Sequence, residues 1–529
     1  MAPHPGGRRR GRWLAVAGAV LAAACGAPAR PAGVVVMASG TDLESANPLV
    51  TVHPLSRQLQ RHALFVTLLR LDDRLQPVPY FARRWRWSPD RTALTLTVSR
   101  ALRWHDGAPT TAHDVAFTLD AARDPALGSP RAAELAPVAA VHAPDDSTVQ
   151  LRFHAPQPAL PLVLAELPLV PRHLLDSVPR ARWRAHPFSG APVGNGPFRF
   201  AGRTPGRQWR FARWDAFPVE LGGAPRLREL VIAVVDESAT KFAGLVSGEL
   251  DVAGVSPTMA ALVQRDPTLA LETPPALFST VLAFNTTRPP FDDPRVRRAL
   301  SLAIDRRRLV QAAVAGYGTP AAGAVPPGLP FAPVDTPVVN RQAAQALLDA
   351  AGWRAVPGRA VRERAGRPLR ATLLTVGSGD LAVEQLVQAD LAQVGVGVEV
   401  RVLELGAFLA ALRPPARAYG LAVTGVPGTL ALGHLPALFS TAQQGGALDY
   451  TGFHTPALDQ RLAAAAAAPV EQRGAAWAAV NALLQEAMPV AWLYHARGVQ
   501  GRSRRLQGVT MDLRGELATV TRWHREGEP

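Results

Sequence analysis

Residues 281–304, VLAFNTTRPPFDDPRVRRALSLAI, carry the clearest strand and helix signals in the chain. The apolar run 281–284 predicts a buried strand. Asp293 is a helix-capping residue, and Pro294 follows it at the first helical position, where its missing N–H costs nothing. Apolar residues then recur at helical spacing, at Val296, Leu300, Ala303 and Ile304. The stretch therefore predicts a strand and then a helix that ends before Gly316.

The same alternation extends outward in both directions. Further helices are predicted at 111–123, capped by a Thr111/Asp114 capping box, at 239–247, capped by Ser238, and after Asn340, 381–394 and 471–487. Strands are predicted at 34–38, 92–98, 149–153, 230–235, 398–403 and 490–494, and a hairpin at 198–211. Strands alternating with helices indicate α/β domains with mainly parallel pairing. A chain of 529 residues has room for about three of them.

The formal net charge is +15, but only one of the 57 basic residues, Lys241, is a lysine. The arginines are spread along the chain, whereas a nucleic-acid-binding surface needs them clustered. We therefore expect no nucleic-acid partner. The single cysteine, Cys25, excludes internal disulfides and multi-cysteine metal motifs. No HExxH, G-x-S-x-G or P-loop motif occurs, so we predict no catalytic residues, no metal site and no cofactor.

The first 33 residues predict export. Four arginines, Arg8, Arg9, Arg10 and Arg12, precede the apolar run 13–24, which is too short to span a bilayer and is typical of a signal peptide. Small residues then lead to Cys25, as in a bacterial lipobox, although Ala22 stands where leucine is usual. Lipidation of Cys25 is the favoured interpretation, and ordinary cleavage nearby is the alternative. Residues 1–24 would be the signal peptide and 25–33 a flexible tether.

Six segments in the same order resemble the extracytoplasmic solute-binding proteins, family 5, of peptide- and nickel-type ABC transporters. They are Asn47-Pro48-Leu49, Trp104–Gly107 with Thr111–Val115, Val193–Phe198, Ser247–Asp251, Phe284-Asn285-Thr286 and Pro290–Arg297. The resemblance runs from about residue 40 to about 508. It implies an α/β fold of the periplasmic-binding-protein-like class II, with two major lobes, a hinge and an inserted smaller domain.

The resemblance also implies how the chain divides. Lobe I would comprise residues 34–70, 191–287 and 490–525, the inserted domain 71–190, and lobe III 288–489. Crossing strands near 283–285 and 491–493 would form the hinge, and closure about a hinge buries the ligand between lobes.

Ligand contacts are expected in three regions that the resemblance marks. The first is Val52 and His53, the second is Phe278, Thr280 and Leu282, and the third is Gly425, Val426, Gly428 and Thr429. For Phe278, core packing is the alternative. In the family the third region often carries W-x-x-D, whose acid binds a peptide's α-ammonium. Here 424–429 reads TGVPGT, without that acid, and His434 or Asp449 are possible substitutes. A buried ammonium needs such a partner.

Other polar clusters have structural interpretations. His105 and Asp106 are predicted to form a turn rather than an acid/base pair, and Asp292, Asp293 and Arg295 to form a helix start. Arg297-Arg298 and Arg306-Arg307-Arg308 are predicted to form a solvated helix face.

The functional hypothesis is a monomeric, lipid-anchored, extracytoplasmic component of an ABC importer that binds peptides or related small polar solutes between two lobes. Its partners would be the ligand, the permease and ATPase subunits, and the membrane through the lipid. Two alternatives are a binder of a metal chelate, haem or an oligosaccharide, and a cell-surface interaction or signalling module without transport. A secreted hydrolase is the least favoured, since no nucleophile with a base is recognisable.

Overall fold

The computed structural model describes residues 31–43, 45–51, 53–329, 331–333, 335, 338–376, 381–446 and 448–527. The predicted signal peptide, Cys25 and Val52 lie outside these residues. The described residues from Gly33 onward belong to one compact unit.

A seven-stranded sheet is built around the first strand. Its order is Leu269–Glu272, Gln500–Ser503, Val252–Gly254, Val34–Ser39, Glu229–Val234, Gln208–Arg213 and Phe198–Thr204. The strand Val34–Ser39 is parallel to both of its neighbours, and the remaining pairs are antiparallel. The predicted hairpin at 198–211 is confirmed and forms one end of this sheet.

A four-stranded antiparallel sheet shares a hydrophobic core with the seven-stranded sheet. Its order is Ala82–Trp87, Ala93–Val98, Thr148–Phe153 and Val138–Asp145. The helix Ala112–Arg123 packs on it, and the predicted capping box of Thr111 and Asp114 is confirmed. Fully buried tryptophans fill the common core, namely Trp104, Trp183, Trp209 and Trp523. We call these two sheets with their helices the first body.

A six-stranded sheet forms the second body. Its order is Gly318–Pro320, Val490–Arg497, Pro275–Phe284, Leu421–Pro427, Arg370–Val376 and Gly397–Leu403. Residues 281–284, the predicted strand, alternate between two cores: Val281 and Ala283 face one, and Leu282 and Phe284 face the other. Because both faces are covered, the strand is a continuous apolar run.

Helices cover both faces of this sheet and flank the others. The α-helices in the described residues are Pro54–Leu59, Ala112–Arg123, Val163–Glu166, Arg172–Leu175, Ser238–Ser247, Ala260–Arg265, Pro294–Ala303, Arg306–Ala313, Arg341–Ala350, Ala382–Ala392, Leu405–Leu412, His434–Phe439, Pro456–Ala467 and Val470–Ala487. Short strand pairs join Leu69–Leu71 with Pro77–Pro79, Glu363–Arg364 with Arg367–Pro368, and Leu506–Gln507 with His524–Arg525. In the described part of the chain, no helix combines the length and the apolar character that crossing a bilayer requires.

Three sequence predictions of secondary structure and strand pairing are wrong. Pairing is mainly antiparallel rather than parallel, because hairpins and returning strands outnumber helical crossovers in all three sheets. The helix after Asp293 breaks at Ile304, where Asp305 accepts from the N–H of Arg308 and caps a second helix. The cap of Ser238–Ser247 is Glu237, whose longer carboxylate reaches two backbone N–H groups.

The predicted solvated arginine face is also wrong at two positions. Arg297 is 3% exposed and donates to the carbonyls of Ala487 and Met488 at the end of the helix Val470–Ala487. Arg306 is equally buried and donates to Trp492 O at 2.7 Å. A guanidinium has five N–H donors, so it satisfies carbonyls that a helix end leaves unpaired. These two buried arginines therefore link helices of the second body to its sheet and to the end of a neighbouring helix by hydrogen bonds to backbone carbonyls.

The chain passes between the two bodies at two adjacent points. Residues 273–274 join Leu269–Glu272 to Pro275–Phe284, and 498–499 join Val490–Arg497 to Gln500–Ser503. The two connections are hydrogen-bonded to each other, since Gly498 N donates to Pro274 O at 2.8 Å. The strands predicted to cross between lobes lie within the six-stranded sheet and pair there, about nine residues from the first connection and about five from the second.

Candidate functional site

A cavity of about 210 Å³ lies where the two bodies meet, beside both connections. The first body contributes the helix Pro54–Leu59 and a later segment, and the second contributes two strand ends. Its lining residues are Pro54, Arg57, Gln58, Arg61, Glu166, Pro274–Phe278, Pro427–Thr429, Gly498 and Asp512–Glu516. Three larger cavities, of about 320–340 Å³, are lined only by residues between 287 and 492 and so lie within the second body.

The helix Pro54–Leu59 brings the first charged group to the cavity. His53 caps it, since its ring Nδ1 accepts from Ser56 N at 3.2 Å, while Nε2 is 2.9 Å from Thr41 Oγ1. Both ring nitrogens of His53 are therefore engaged, and His53 does not line the cavity. Arg57, one turn further along the same helix, lines the cavity instead.

A buried network of charges lies beneath this helix. Arg131 donates through Nη2 to Glu134 at 2.8 Å and to Glu166 at 2.9 Å, and Arg61 lies 3.3 Å from Glu166. Burial and the charge of Glu166 raise the pKa of Glu134 to about 7, against the effect of Arg131. Burial opposes ionisation of Glu166 too, but Arg131 and Arg61 hold the pKa of Glu166 below its ordinary value. Glu166 is thus the fixed negative charge of the network.

Arg57 lies near this network but, among the described residues, makes no direct contact with it, so Glu166 and Glu134 act on its charge only from a distance. Within the described residues its guanidinium makes no hydrogen bond and no ion pair, although it lines the cavity. Burial, together with the nearby charge of Arg131, lowers the pKa of Arg57 to about 10. A half-buried cation without a partner is costly, so this side of the cavity is suited to a negatively charged group.

The segment 512–516 completes this wall of the cavity. Gln58 ties it to the helix, because Gln58 Oε1 accepts from Leu517 N at 3.2 Å and from Glu516 N. Arg514 pairs with Asp512 at 2.6 Å. Glu516 accepts a hydrogen bond from Gln500 at 2.7 Å and makes no ion pair within the described residues, and burial raises its pKa.

The opposite wall comes from the second body and carries no charge. Phe278 is 39% exposed, which excludes the alternative of core packing, and its ring lies over Gly425. A Cβ on Gly425 would collide with that ring, so glycine is needed there for Phe278 to face the cavity. Gly428 and Thr429 line the cavity beside it. An aromatic ring and small neutral groups favour contact with an apolar or neutral part of a solute.

The remaining predicted contacts lie away from the cavity. Leu282 and Val426 are buried in the two cores of the second body. Thr280 is paired within the sheet to Gly425 and Tyr494. Of the predicted contacts, three lie together at the cavity: Phe278, Gly428 and Thr429. Gly425 leaves room for the ring of Phe278. The other three pack within the second body and fix the strands that carry the cavity residues: Thr280, Leu282 and Val426.

Neither suggested substitute for the missing acid faces the cavity. His434 is buried, and Thr429 N donates to its Nδ1. Asp449 is fully buried and pairs with Arg417 at 2.5 Å and with His454 at 2.9 Å. Both therefore serve the second body's interior.

The turn predicted at His105 and Asp106 is confirmed. Gly107 N donates to Trp104 O at 2.8 Å, Asp106 lies 2.7 Å from His173 Nε2, and His105 Nε2 lies 3.0 Å from Gly196 O. Asp293 is confirmed as the cap of Pro294–Ala303, and it pairs with Arg295 at 2.7 Å. Within the described residues no group of three or more His, Cys, Asp or Glu side chains is placed to hold a metal ion.

Sequence reasoning missed the charged wall, namely Arg57, Gln58, Glu166 and the segment 512–516. Arginine is abundant throughout this chain, so nothing in the sequence distinguishes Arg57 from its neighbours. That Arg57 makes no ion pair becomes visible only when the partners of Arg61 and Arg131 are known. The one available signal was position, because Arg57 follows shortly after the Asn47-Pro48-Leu49 motif.

Comparison with known proteins places this architecture in one family. The family model described as "Bacterial extracellular solute-binding proteins, family 5 Middle" matches residues 76–430. A Brucella ovis protein described as an ABC transporter peptide-binding protein is 30% identical over 345 residues, which is 64% of this chain and 63% of that protein's length. The glutathione-binding protein GsiB of Salmonella typhimurium is 29% identical over 404 residues, 75% of this chain and 74% of GsiB.

Two solved structures show the same fold. The oligopeptide-binding protein AppA of Bacillus subtilis, in complex with a nonapeptide, has a TM-score of 0.81 at 22% identity, covering 93% of this chain and 98% of AppA. NikZ of Campylobacter jejuni, in complex with Ni(L-His), also has a TM-score of 0.81, at 20% identity, covering 94% of this chain and 100% of NikZ. The predicted class of fold, with two major lobes and an inserted smaller domain, is confirmed.

Proposed function

Because the chain belongs to family 5 of the bacterial extracellular solute-binding proteins, we propose that it is the lipid-anchored substrate-binding component of an ABC importer. In this proposal it binds a peptide or a related small polar solute in the cavity between the two bodies and passes it unchanged to a permease driven by an ATPase. The observation that carries the proposal is the position of the cavity, which joins walls from both bodies at the connections between them.

The connections at 273–274 and 498–499 are the proposed hinge. Only two strands of chain join the bodies at this point, and they lie side by side. Rotation about two adjacent connections can open the cavity without disturbing either core. Contacts across the cavity would favour the closed form: Leu162 and Leu513 of the first body pack against the core of the second.

Ligand binding should raise the melting temperature. A ligand that binds only the folded protein stabilises it by about 2.7 kcal/mol at 100 times its Kd. Pools of di-, tri- and longer peptides are tested by thermal shift, and mass spectrometry checks that bound peptide is recovered intact. Ala276→Trp, which fills the cavity, should abolish the shift, whereas the matched Ala392→Trp, on an exposed helix end, should retain it.

Absence of a shift with every peptide pool would contradict the peptide proposal. A shift with Ni(L-His) instead would support the second candidate, a metal-chelate binder. That candidate is favoured by one observation, the lack of an acidic side chain in 424–429 where a peptide's ammonium would be expected to bind. Recovery of cleaved peptide would contradict a binding protein without catalysis.

Lipid anchoring is tested at Cys25. Cys25→Ala should move the protein from the membrane fraction to the soluble extracytoplasmic fraction, because a protein without the lipid loses its only proposed anchor. Ala29→Ser, in the proposed tether, should leave the distribution unchanged. A Cys25→Ala protein that stays with the membrane would contradict lipidation at this residue and favour ordinary cleavage with another mode of attachment.

A further inference from the structure

The charged wall of the cavity carries one cation and one acid that make no direct ion pair within the described residues. Arg61, Arg131 and Arg514 are each paired with Glu166, Glu134 or Asp512. In the described residues that leaves Arg57 and Glu516, both lining the cavity and both without an ion pair. The other charges of the wall are already neutralised, so a solute meets these two groups first.

Both groups lie on the same wall, held by one side chain. Gln58 is next to Arg57 in the helix Pro54–Leu59, and its Oε1 accepts from the backbone N–H of Glu516. The helix and the segment 512–516 are thereby fixed to each other. Opening or closing of the two bodies would leave the pair of charges undisturbed, because both belong to the first body.

We propose that Arg57 and Glu516 bind the two charged ends of a small zwitterion, with Arg57 on its carboxylate and Glu516 on its ammonium. This inference rests on the proposed function and names its solute class. Glu516 takes the place of the acid missing from 424–429. The neutral wall, with the ring of Phe278, contacts the rest of the solute.

The size of the cavity limits this zwitterion. About 210 Å³ is less than the roughly 300–1,000 Å³ typical of sites for drug-sized ligands. With both charges on one wall, the two ends of the solute must approach the same side. A compact solute of amino-acid to dipeptide size meets both conditions, whereas an extended peptide would place its ends on different walls.

Three dipeptide pools test the assignment: free dipeptides, N-acetyl dipeptides without the ammonium, and dipeptide amides without the carboxylate. Wild type should bind free dipeptides about tenfold or more tightly than either blocked pool, because charge-assisted hydrogen bonds are lost. Arg57→Gln should lose the preference for free over amidated dipeptides and retain the preference over acetylated ones. Glu516→Gln should lose the preference for free over acetylated dipeptides and retain the preference over amidated ones.

Matched controls separate this result from a general effect of charge. Arg401→Gln and Glu399→Gln make the same changes on the exposed strand Gly397–Leu403 and should bind all three pools as wild type does. Arg57→Lys and Glu516→Asp keep the charge and should keep part of the preference. They serve as the test if a glutamine variant does not fold.

The possible outcomes are distinct. If wild type binds free dipeptides and the Arg57 and Glu516 variants keep its preferences, the inference is overturned while the proposed function stands. If wild type binds all three pools equally, the inference is likewise overturned. If no pool binds wild type, the proposed peptide ligand fails and the inference fails with it.

Discussion

Replacing Arg131 with methionine should lower the free energy of unfolding by about 3–5 kcal/mol, because it leaves two buried carboxylates without their shared cation. Arg131 is 4% exposed and donates through one nitrogen to both Glu134 and Glu166. A methionine fills much of the volume but donates no hydrogen bond. Urea denaturation followed by tryptophan fluorescence would measure the loss, since Trp104 and Trp183 lie in the same body.

The loss should depend on pH. Without Arg131 the pKa of Glu134, which already lies above its ordinary value, would rise further, and the lowered pKa of Glu166 would rise as well. A group whose folded pKa is raised stabilises the fold at low pH and loses that effect as pH rises. The difference between variant and wild type should therefore be larger at pH 8 than at pH 5. Measuring the unfolding midpoint at both values tests the electrostatic origin of the loss.

Two variants serve as comparisons. Arg131→Met with Glu134→Gln removes one of the stranded charges and should recover part of the stability. Arg354→Met removes an arginine whose side chain is 70% exposed and which lies 3.7 Å from Asp349, so it should change stability by about 0.5 kcal/mol or less. If Arg131→Met proves as stable as Arg354→Met, the network does not support the first body.

Local signals in the sequence predicted most elements of the fold. Thr111, Asp293 and Asn340 act as caps where the sequence placed them, since a cap needs only a side-chain oxygen and the N–H groups of the next turn. The buried strand at 281–284 followed from its apolar run, because both faces of its sheet are covered. These features depend on residues close in sequence.

Features that depend on distant residues were not predicted. Strand direction was wrong because it is set by which strands meet, and Pro275–Phe284 pairs with strands more than 130 residues away. The charged wall was missed for the same reason, since Arg57 and Glu516 are 459 positions apart. Phe278, Gly428 and Thr429 were placed near the ligand by family resemblance, and the structure brings them together at the cavity.

Acidification from pH 7 to pH 4 should unfold the protein, because several histidines are buried in their neutral form. Burial lowers the pKa of His105, His434 and His495 to about 4 each. The unfolded chain takes up these protons near pH 6.5. A group whose folded pKa lies below its unfolded pKa destabilises the fold as pH falls from the unfolded value to the folded one.

The size of the stability loss follows from the gap between the folded and unfolded pKa values of each histidine. A gap of about 2.5 pH units corresponds to about 3 kcal/mol for each histidine, at roughly 1.4 kcal/mol per unit. Glu134 acts in the opposite direction: its pKa of about 7 lies above its ordinary value of 4.5, so its protonation stabilises the fold as pH falls. Glu134 offsets about one of the three histidines, which leaves a loss of about 6 kcal/mol from these four groups. That is comparable with the whole stability of a typical protein, about 5–15 kcal/mol. His62, whose pKa burial lowers well below its ordinary value, adds to the loss, whereas Asp114 and Glu516, whose pKa values burial raises, oppose it.

Acid should lower the stability of both bodies over the same pH range, since His105 belongs to the first body and the other two histidines to the second. Urea midpoints measured at half-unit steps of pH would follow the loss. His495→Asn, which keeps an acceptor or donor for Ser279, 2.8 Å away, removes one titrating group and should shift the acid midpoint to lower pH. His142→Asn, at an exposed position, should leave the midpoint unchanged. A urea midpoint that stays constant from pH 7 to pH 4.5 would show that these histidines do not control acid stability. Their destabilising effect would then have to be offset by groups that bind protons more readily in the folded protein over the same pH range.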